Sequence, residues 1–101
     1  MVIIAKAVLV RFASEHSSTI VPLMEWYDTV SDADWSNIND VKDTFRSADY
    51  VGNERFVFNI KGNRYRIVAA VIFNIRTVYK KFIGTHSEYD KIDVKTIQYK
   101  Q

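Results

Sequence analysis

The chain has 101 residues, of which 48% are hydrophobic, 26% charged and 14% aromatic, with three Gly, one Pro and no Cys. That length suits one compact domain, expected to span residues 1–101, and the aromatic content argues against disorder. Without cysteine there is no disulfide, thiol nucleophile or Cys-type metal site, and two histidines are too few for a His-rich centre. The near-neutral total of +2 hides a division. Residues 1–50 carry Lys6, Arg11, Lys42 and Arg46 against eight acids, net −4, whereas residues 51–101 carry ten bases against four acids, net +6. An acidic half joined to a basic half points to a polyanionic partner.

Taken in chain order, Met1–Ile4 reads as a short strand, at an edge or in the centre of a sheet. Its apolar run, broken by Lys6 and Arg11, falls far short of the roughly 20 residues that span a bilayer. It also lacks the basic start and small-residue cleavage site of a secretory signal, so a cytoplasmic protein without a membrane partner is expected. From Ala5 to about His16, Val8, Leu9 and Phe12 recur at helical spacing, and His16 reads as a capping or surface residue. Ser17, Ser18 and Thr19 are cap-type residues before a second helix carrying Leu23, Trp26, Tyr27 and Val30, with Pro22 in its first turn. After a polar, acidic connection, Asn37 or Asn39 caps a short third helix with Ile38, Val41 and Phe45 on its apolar stripe. The acids Asp28, Asp32, Asp34, Asp40 and Asp43 read as a solvated face and lack the spacing of a calcium loop.

Beyond Gly52 the period changes to two. Phe56, Phe58 and Ile60 share one face of a strand over 55–60, and Lys61-Gly62-Asn63 signals a tight hairpin turn. A longer strand over 64–73 is apolar on both sides beyond Arg66 and is therefore expected to be central. Asn74-Ile75-Arg76 turns the chain into a third strand over 77–84, and Ser87–Lys91 suggests a helical turn. The expected architecture is α+β: an antiparallel β-meander with two or three N-terminal helices packed on one face.

The cationic residues gather on this meander. Lys61, Arg64 and Arg66 flank the first hairpin, and Lys80 and Lys81 follow on the next strand. Side chains two apart on a strand emerge from one face at about 7 Å, close to the repeat of phosphates along a nucleic-acid backbone. Because adjacent residues alternate, only one of Lys80 and Lys81 shares a side with Arg66. Tyr65, Tyr79, Phe82 and Tyr89 interleave with the bases, the pattern of single-stranded RNA binding, with Tyr65 and Phe82 assigned to the core and Tyr89 to the surface. Directly off the last strand, Thr85-His86-Ser87-Glu88-Tyr89-Asp90-Lys91 adds an imidazole, a phenol and two carboxylates. Metal-free RNA cleavage needs such a set. A base assists 2′-hydroxyl attack, a cation meets the phosphoryl charge and an acid protonates the leaving 5′-oxygen. His86 suits proton transfer and the Arg66 fork suits phosphate.

Arg55-Phe-Val-Phe-Asn-Ile, Gly62-Asn-Arg-Tyr-Arg-Ile-Val-Ala and Phe82-Ile-Gly-Thr-His-Ser-Glu-Tyr-Asp-Lys together resemble the HigB toxins, a branch of the RelE-like superfamily of bacterial type II toxin–antitoxin systems. Trp26-Tyr27 and Ala33-Asp34-Trp35 are similar to the family's helical half. The resemblance implies a RelE-like fold and a cytoplasmic, ribosome-dependent mRNA endonuclease that cuts mRNA in the ribosomal A site without a metal or other cofactor. It implies neutralisation by a helix-turn-helix antitoxin of the HigA kind, with operator DNA reached only through that complex. Carried over by position, Arg66 stabilises the scissile phosphate, His86 is the acid or base, and Tyr89 stacks on substrate or donates a proton. Lys61, Arg64, Lys80 and Lys81 are then RNA-backbone contacts. The alternatives are a non-catalytic RNA- or ribosome-binding module and a gyrase-poisoning toxin on the same fold.

Overall fold

Apolar residues recurring every three or four positions build the first half of the chain into helices that cover one face of a sheet. A computed structural model describes residues 1–4, 6–62 and 64–98. Strand β1 (Val2–Ile4) leads into α1 (Lys6–Glu15), which buries Leu9 and Ala13. Ser17–Thr19 forms a single 3-10 turn. Thr19 precedes α2 (Ile20–Asp32), but its hydroxyl does not cap that helix; it donates back to the His16 carbonyl at 2.6 Å. Pro22 sits in the first turn of α2, where its missing N–H costs nothing, and Leu23, Trp26 and Val30 face inward. Helix α3 (Ile38–Thr44) is capped by Asn37, whose side chain accepts from the Asp40 N–H at 3.0 Å.

The second half is a sheet in the order β1-β5-β4-β3-β2, with β2 (Asp49–Gly52), β3 (Arg55–Ile60), β4 (Tyr65–Ile72) and β5 (Thr77–Thr85). Strands β2 to β5 pair antiparallel; β1 is an edge strand and runs parallel to β5. The sequence pattern did not reveal β2. It is short and lies at the other edge, and the β2–β3 turn uses Asn53 and Glu54, both left-handed at φ 52° and 63°, without the Asn-Gly or Asp-Gly signature of such hairpins. The β3–β4 turn begins with left-handed Lys61 and Gly62, as expected; Asn63 lies outside the described residues, as do Ala5 and residues 99–101. Residues Phe73–Ile75 form a 3-10 turn rather than the end of a strand, closed by Arg76 at φ 51°.

Phe56, Phe58, Ile60, Ile67, Ala69, Val71 and Val78 form the helix-facing side of the sheet and meet Leu9, Leu23, Trp26, Val30, Trp35 and Val41. Phe58 lies at the middle of this core, with ring centroids of Phe45, Trp26 and Trp35 at 5.3, 5.4 and 6.4 Å.

A β-bulge in β5 overturns the expectation that Phe82 belongs to this core. Val68 faces Phe82 but Ala69 faces Lys80, so Lys81 is the extra residue and the side-chain alternation changes phase there. Phe82 and Gly84 therefore join the Arg66 side, opposite the helices, while Ile83 turns inward beside the core.

The second face of the sheet is also covered. After β5 the short helix α4 (His86–Tyr89) begins a return of the chain across it, which continues as turns, neither strand nor helix, through residue 98. Buried Arg55 donates to the carbonyls of Val94 and Ile97, and Asn53 donates to the Lys95 carbonyl at 2.7 Å. Under this strap Val57 and Val68 are buried.

Truncating Phe58, 1% exposed, opens a cavity among the rings of Trp26, Trp35, Phe45 and Phe56, so Phe58→Ala is expected to lose roughly 3–5 kcal/mol in urea unfolding. Ile75→Ala, at a 57% exposed site, is expected to change stability by less than about 0.5 kcal/mol.

Candidate functional site

The β4–β5 ladder decides what meets at its open end. Tyr65 pairs with Thr85 and Arg66 with Gly84, and the His86 N–H extends the ladder by donating to the Arg64 carbonyl at 3.1 Å. Arg64, Arg66 and His86 are thus fixed by backbone pairing at one end of the sheet. The Arg64 N–H approaches the Lys61 carbonyl at 3.4 Å, which keeps Lys61 at the same end, on the hairpin tip.

Helix α4 is held by a reciprocal cap. The Glu88 N–H donates to the Thr85 hydroxyl at 3.2 Å, and the Thr85 N–H donates to Glu88 Oε1 at 2.8 Å. The Thr85 N–H holds the Glu88 carboxyl below its ordinary range, so the box stays intact at neutral pH and is lost only as acid protonates Glu88. Gly84 makes room for this turn. A Cβ there would lie 2.7 Å from the Phe82 ring and 3.1 Å from the Glu88 carboxylate.

One turn of α4 then places Tyr89 over Arg66, with the guanidinium carbon 4.7 Å from the ring centroid. Arg66 Nε is buried and, among the described residues, has no hydrogen-bond partner. His86, its side chain 47% exposed, points Nδ1 at Asp90 Oδ2, 3.2 Å away. A carboxylate oxygen offers only lone pairs, so Nδ1 carries the proton toward it. Asp90 and Glu88 were not singled out as site residues in the sequence, although the Thr-x-x-Glu spacing at 85–88 is a readable cap signal.

The structure therefore brings together Arg64, Arg66, His86 and Tyr89, with Lys61 beside them. It separates the two adjacent lysines. Lys81 lies on the Arg66 side farther along β5, with its ammonium 5.8 Å from the Tyr79 ring centroid and bonded to Gln98 Oε1 at 3.0 Å. Lys80 stands opposite Ala69 on the helix-facing side and is buried, which pushes its pKa down to about 8. Of the acids read as a solvated face, Asp34 pairs with Arg76 at 2.7 Å. Asp40 accepts from the Ser36 N–H and hydroxyl, and the first of these bonds chiefly lowers its pKa. Among the described residues no three His, Asp or Glu side chains are grouped as a metal site requires, and no helix is long and apolar enough to cross a membrane.

An α+β sheet end carrying an Arg–Tyr stack, a His–Asp pair and flanking bases defines a candidate polyanion-processing protein. Comparison with known proteins makes that class specific. Residues 20–92 match the HigB_toxin family, described as the RelE-like toxic component of a toxin-antitoxin system. The chain is 28% identical over 94 residues to the mRNA interferase HigB of Escherichia coli O6:H1, covering 91% of each protein. It is 32% identical over 79 residues to the mRNA interferase toxin HigB of Escherichia coli K12, covering 75% of this chain and 72% of the relative, and equally similar to the mRNA interferase HigB of Shigella flexneri. The chain belongs to the HigB toxin family, the toxic half of a toxin–antitoxin pair, and an antitoxin is its partner.

The buried lysine gives a signed pH dependence. Between about 8 and 10.5 the unfolded chain binds a proton at Lys80 that the folded chain has released, so stability rises with pH across that window. Below it both states are protonated and the penalty is constant. Urea unfolding of wild type and Lys80→Met through this range is expected to show the wild type gaining on the variant as pH rises; a constant difference between them would contradict it.

Proposed function

We propose that this toxin is an mRNA interferase that cuts mRNA in the A site of the ribosome without a metal ion. The observation that carries the reading is Arg66 held against Tyr89 one helical turn from His86, at the sheet end where the ladder also fixes Arg64. The names of its relatives support the same activity.

The chemistry runs within the RNA. A base takes the 2′-hydroxyl proton, the 2′-oxygen attacks the adjacent phosphorus, the P–O5′ bond breaks and an acid protonates the departing 5′-oxygen. The products are a 2′,3′-cyclic phosphate and a 5′-hydroxyl end. Arg66, its guanidinium positioned by the Tyr89 ring, offsets charge on the non-bridging oxygens. His86, paired with Asp90, supplies a proton-transfer group. Tyr89 has a phenol and a ring face, suited to proton donation or base stacking. Lys61, Arg64 and Lys81 contact the RNA backbone, whereas Lys80, facing the helices, is left out of that set. The antitoxin is a helix-turn-helix protein of the HigA kind, operator DNA is reached only through that complex, and the toxin acts in the cytoplasm.

Induced expression with mapping of mRNA 5′ ends tests this reading. Cuts at codon boundaries in translated messages are expected, and growth arrest with intact mRNA would overturn it. Arg66→Ala and His86→Ala are each expected to lower the cleavage rate on programmed ribosomes by roughly 10²-fold or more while antitoxin binding persists. Wild-type rates in both variants would remove the residue assignment.

A further inference from the structure

The second histidine has a geometry that neither a helix cap nor a surface position explains. The His16 side chain makes no capping bond; it folds back so that Nδ1 lies 3.2 Å from the Phe12 carbonyl oxygen. Its ring stacks on Phe12 with centroids 4.0 Å apart and planes 12° apart, and it meets Tyr65 edge-on at 5.7 Å. The backbone on either side is tied too, since the His16 N–H donates to the Phe12 carbonyl at 2.9 Å and the His16 carbonyl accepts from Thr19.

These contacts set a tautomer. A carbonyl oxygen offers only lone pairs, so the ring nitrogen facing it carries the proton. In the neutral imidazole Nε2 is then an unprotonated acceptor, and among the described residues no hydrogen bond engages it. The ring is held in the form a general base requires, and holding it costs nothing further at the moment of reaction.

The contacts also set a place. Tyr65, against which the ring rests, pairs with Thr85 and precedes Arg66. His16 reaches the sheet end from the helical layer, whereas Arg66 and Tyr89 lie on the opposite face. In-line displacement at phosphorus puts the attacking and departing oxygens on opposite sides, and so calls for two proton-transfer groups approaching from different directions. His86 faces a carboxylate through Nδ1 and His16 faces a main-chain carbonyl through Nδ1, so the two rings approach the sheet end from different layers with different partners.

We propose that His16 is the general base of the cleavage site, accepting the 2′-hydroxyl proton at Nε2, with His86 as the acid that protonates the 5′-oxygen. This rests on the nuclease reading above, and it divides two roles that the sequence assigned to His86 and Tyr89 alone.

Single-turnover cleavage of mRNA on programmed ribosomes tests it, with toxin concentration varied to separate ribosome affinity from rate. His16→Asn keeps an N–H donor toward the Phe12 carbonyl but has no exchangeable base. It is expected to cut roughly 10²-fold or more slowly with affinity, antitoxin binding and Tm close to wild type. His16→Ala is expected to be equally slow and to recover part of its rate when free imidazole is added, a response that a purely structural role does not give. Cleavage by His16→Asn within about threefold of wild type, or a slow His16→Ala that imidazole leaves unchanged, would overturn the assignment. If wild-type toxin itself leaves ribosome-bound mRNA intact, the nuclease reading fails and this inference fails with it; if only the variants behave like wild type, the nuclease stands and His16 is not its base.

Discussion

Everything at the sheet end depends on the aromatic packing around Phe58. Its neighbours come from α2 (Trp26), from the connection before α3 (Trp35), from the turn after α3 (Phe45) and from its own strand (Phe56). Edge-to-face and offset pairs of this kind add about 0.5–1.5 kcal/mol each beyond the area they bury. The cluster therefore locks helix α2 and the segments on either side of α3 onto β3. Strand β3 in turn fixes β4 through pairs that run from Arg55–Ala70 to Ile60–Tyr65, so Arg66 stands opposite Asn59 in a fixed register. A shift of one residue would send Arg66 to the helix side and Tyr65 outward. Aromatic burial in the acidic half thus holds the register of the basic half.

The division of charge along the chain becomes sharper in three dimensions. Several bases of the second half are already engaged away from the site: Arg55 by strap carbonyls, Arg76 by Asp34, and Lys80 beneath the helices. Lys61, Arg64 and Arg66 remain around the hairpin, with Lys91 just beyond α4. The effective positive field is accordingly concentrated at one end of the sheet, next to the groups suited to proton transfer. Such an arrangement steers a polyanion toward the chemistry rather than binding it along the whole sheet.

Much of this organisation could be read from the residues because two periodicities dominate them. The 3.6-residue spacing of Leu23, Trp26 and Val30 and the alternation of Phe56, Phe58 and Ile60 each mark a buried face, and both faces lie in the core. Reading failed where a local feature broke the period. Counting every second residue from Val78 assigns Phe82 to the core, but the extra residue at Lys81 reverses the phase, and with it the neighbours of Arg66. Strand β2 escaped because edge pairing tolerates exposed polar residues such as Asp49 and because Glu54 occupies a left-handed position usually given to Gly. The strap over the second face had no periodic signal at all. Its hold is Arg55 bonding to main-chain carbonyls, a contact that any side chain at 94 or 97 allows. The sequence makes His16 a capping or surface residue for a similar reason, since what distinguishes it is a ring orientation set by Phe12 and Tyr65 rather than a motif.

The state of Arg66 says why this sheet end is not simply a well-packed edge. Among the described residues Nε has no partner, and burying such a group costs about 1–3 kcal/mol. A guanidinium–tyrosine stack contributes about 0.5–2 kcal/mol, so the contact with Tyr89 offsets that cost without clearly exceeding it. A methionine could fill the same space with no polar atom to satisfy. Stability alone therefore gives little reason for an arginine there, whereas a half-buried, planar cation held in place has a strong electrostatic effect on a phosphate brought to it. The capping box of α4 and the missing side chain at Gly84 keep Tyr89 in place over that cation. Both are features of local backbone geometry, and both serve a group whose position is costly for the fold and useful for phosphate chemistry.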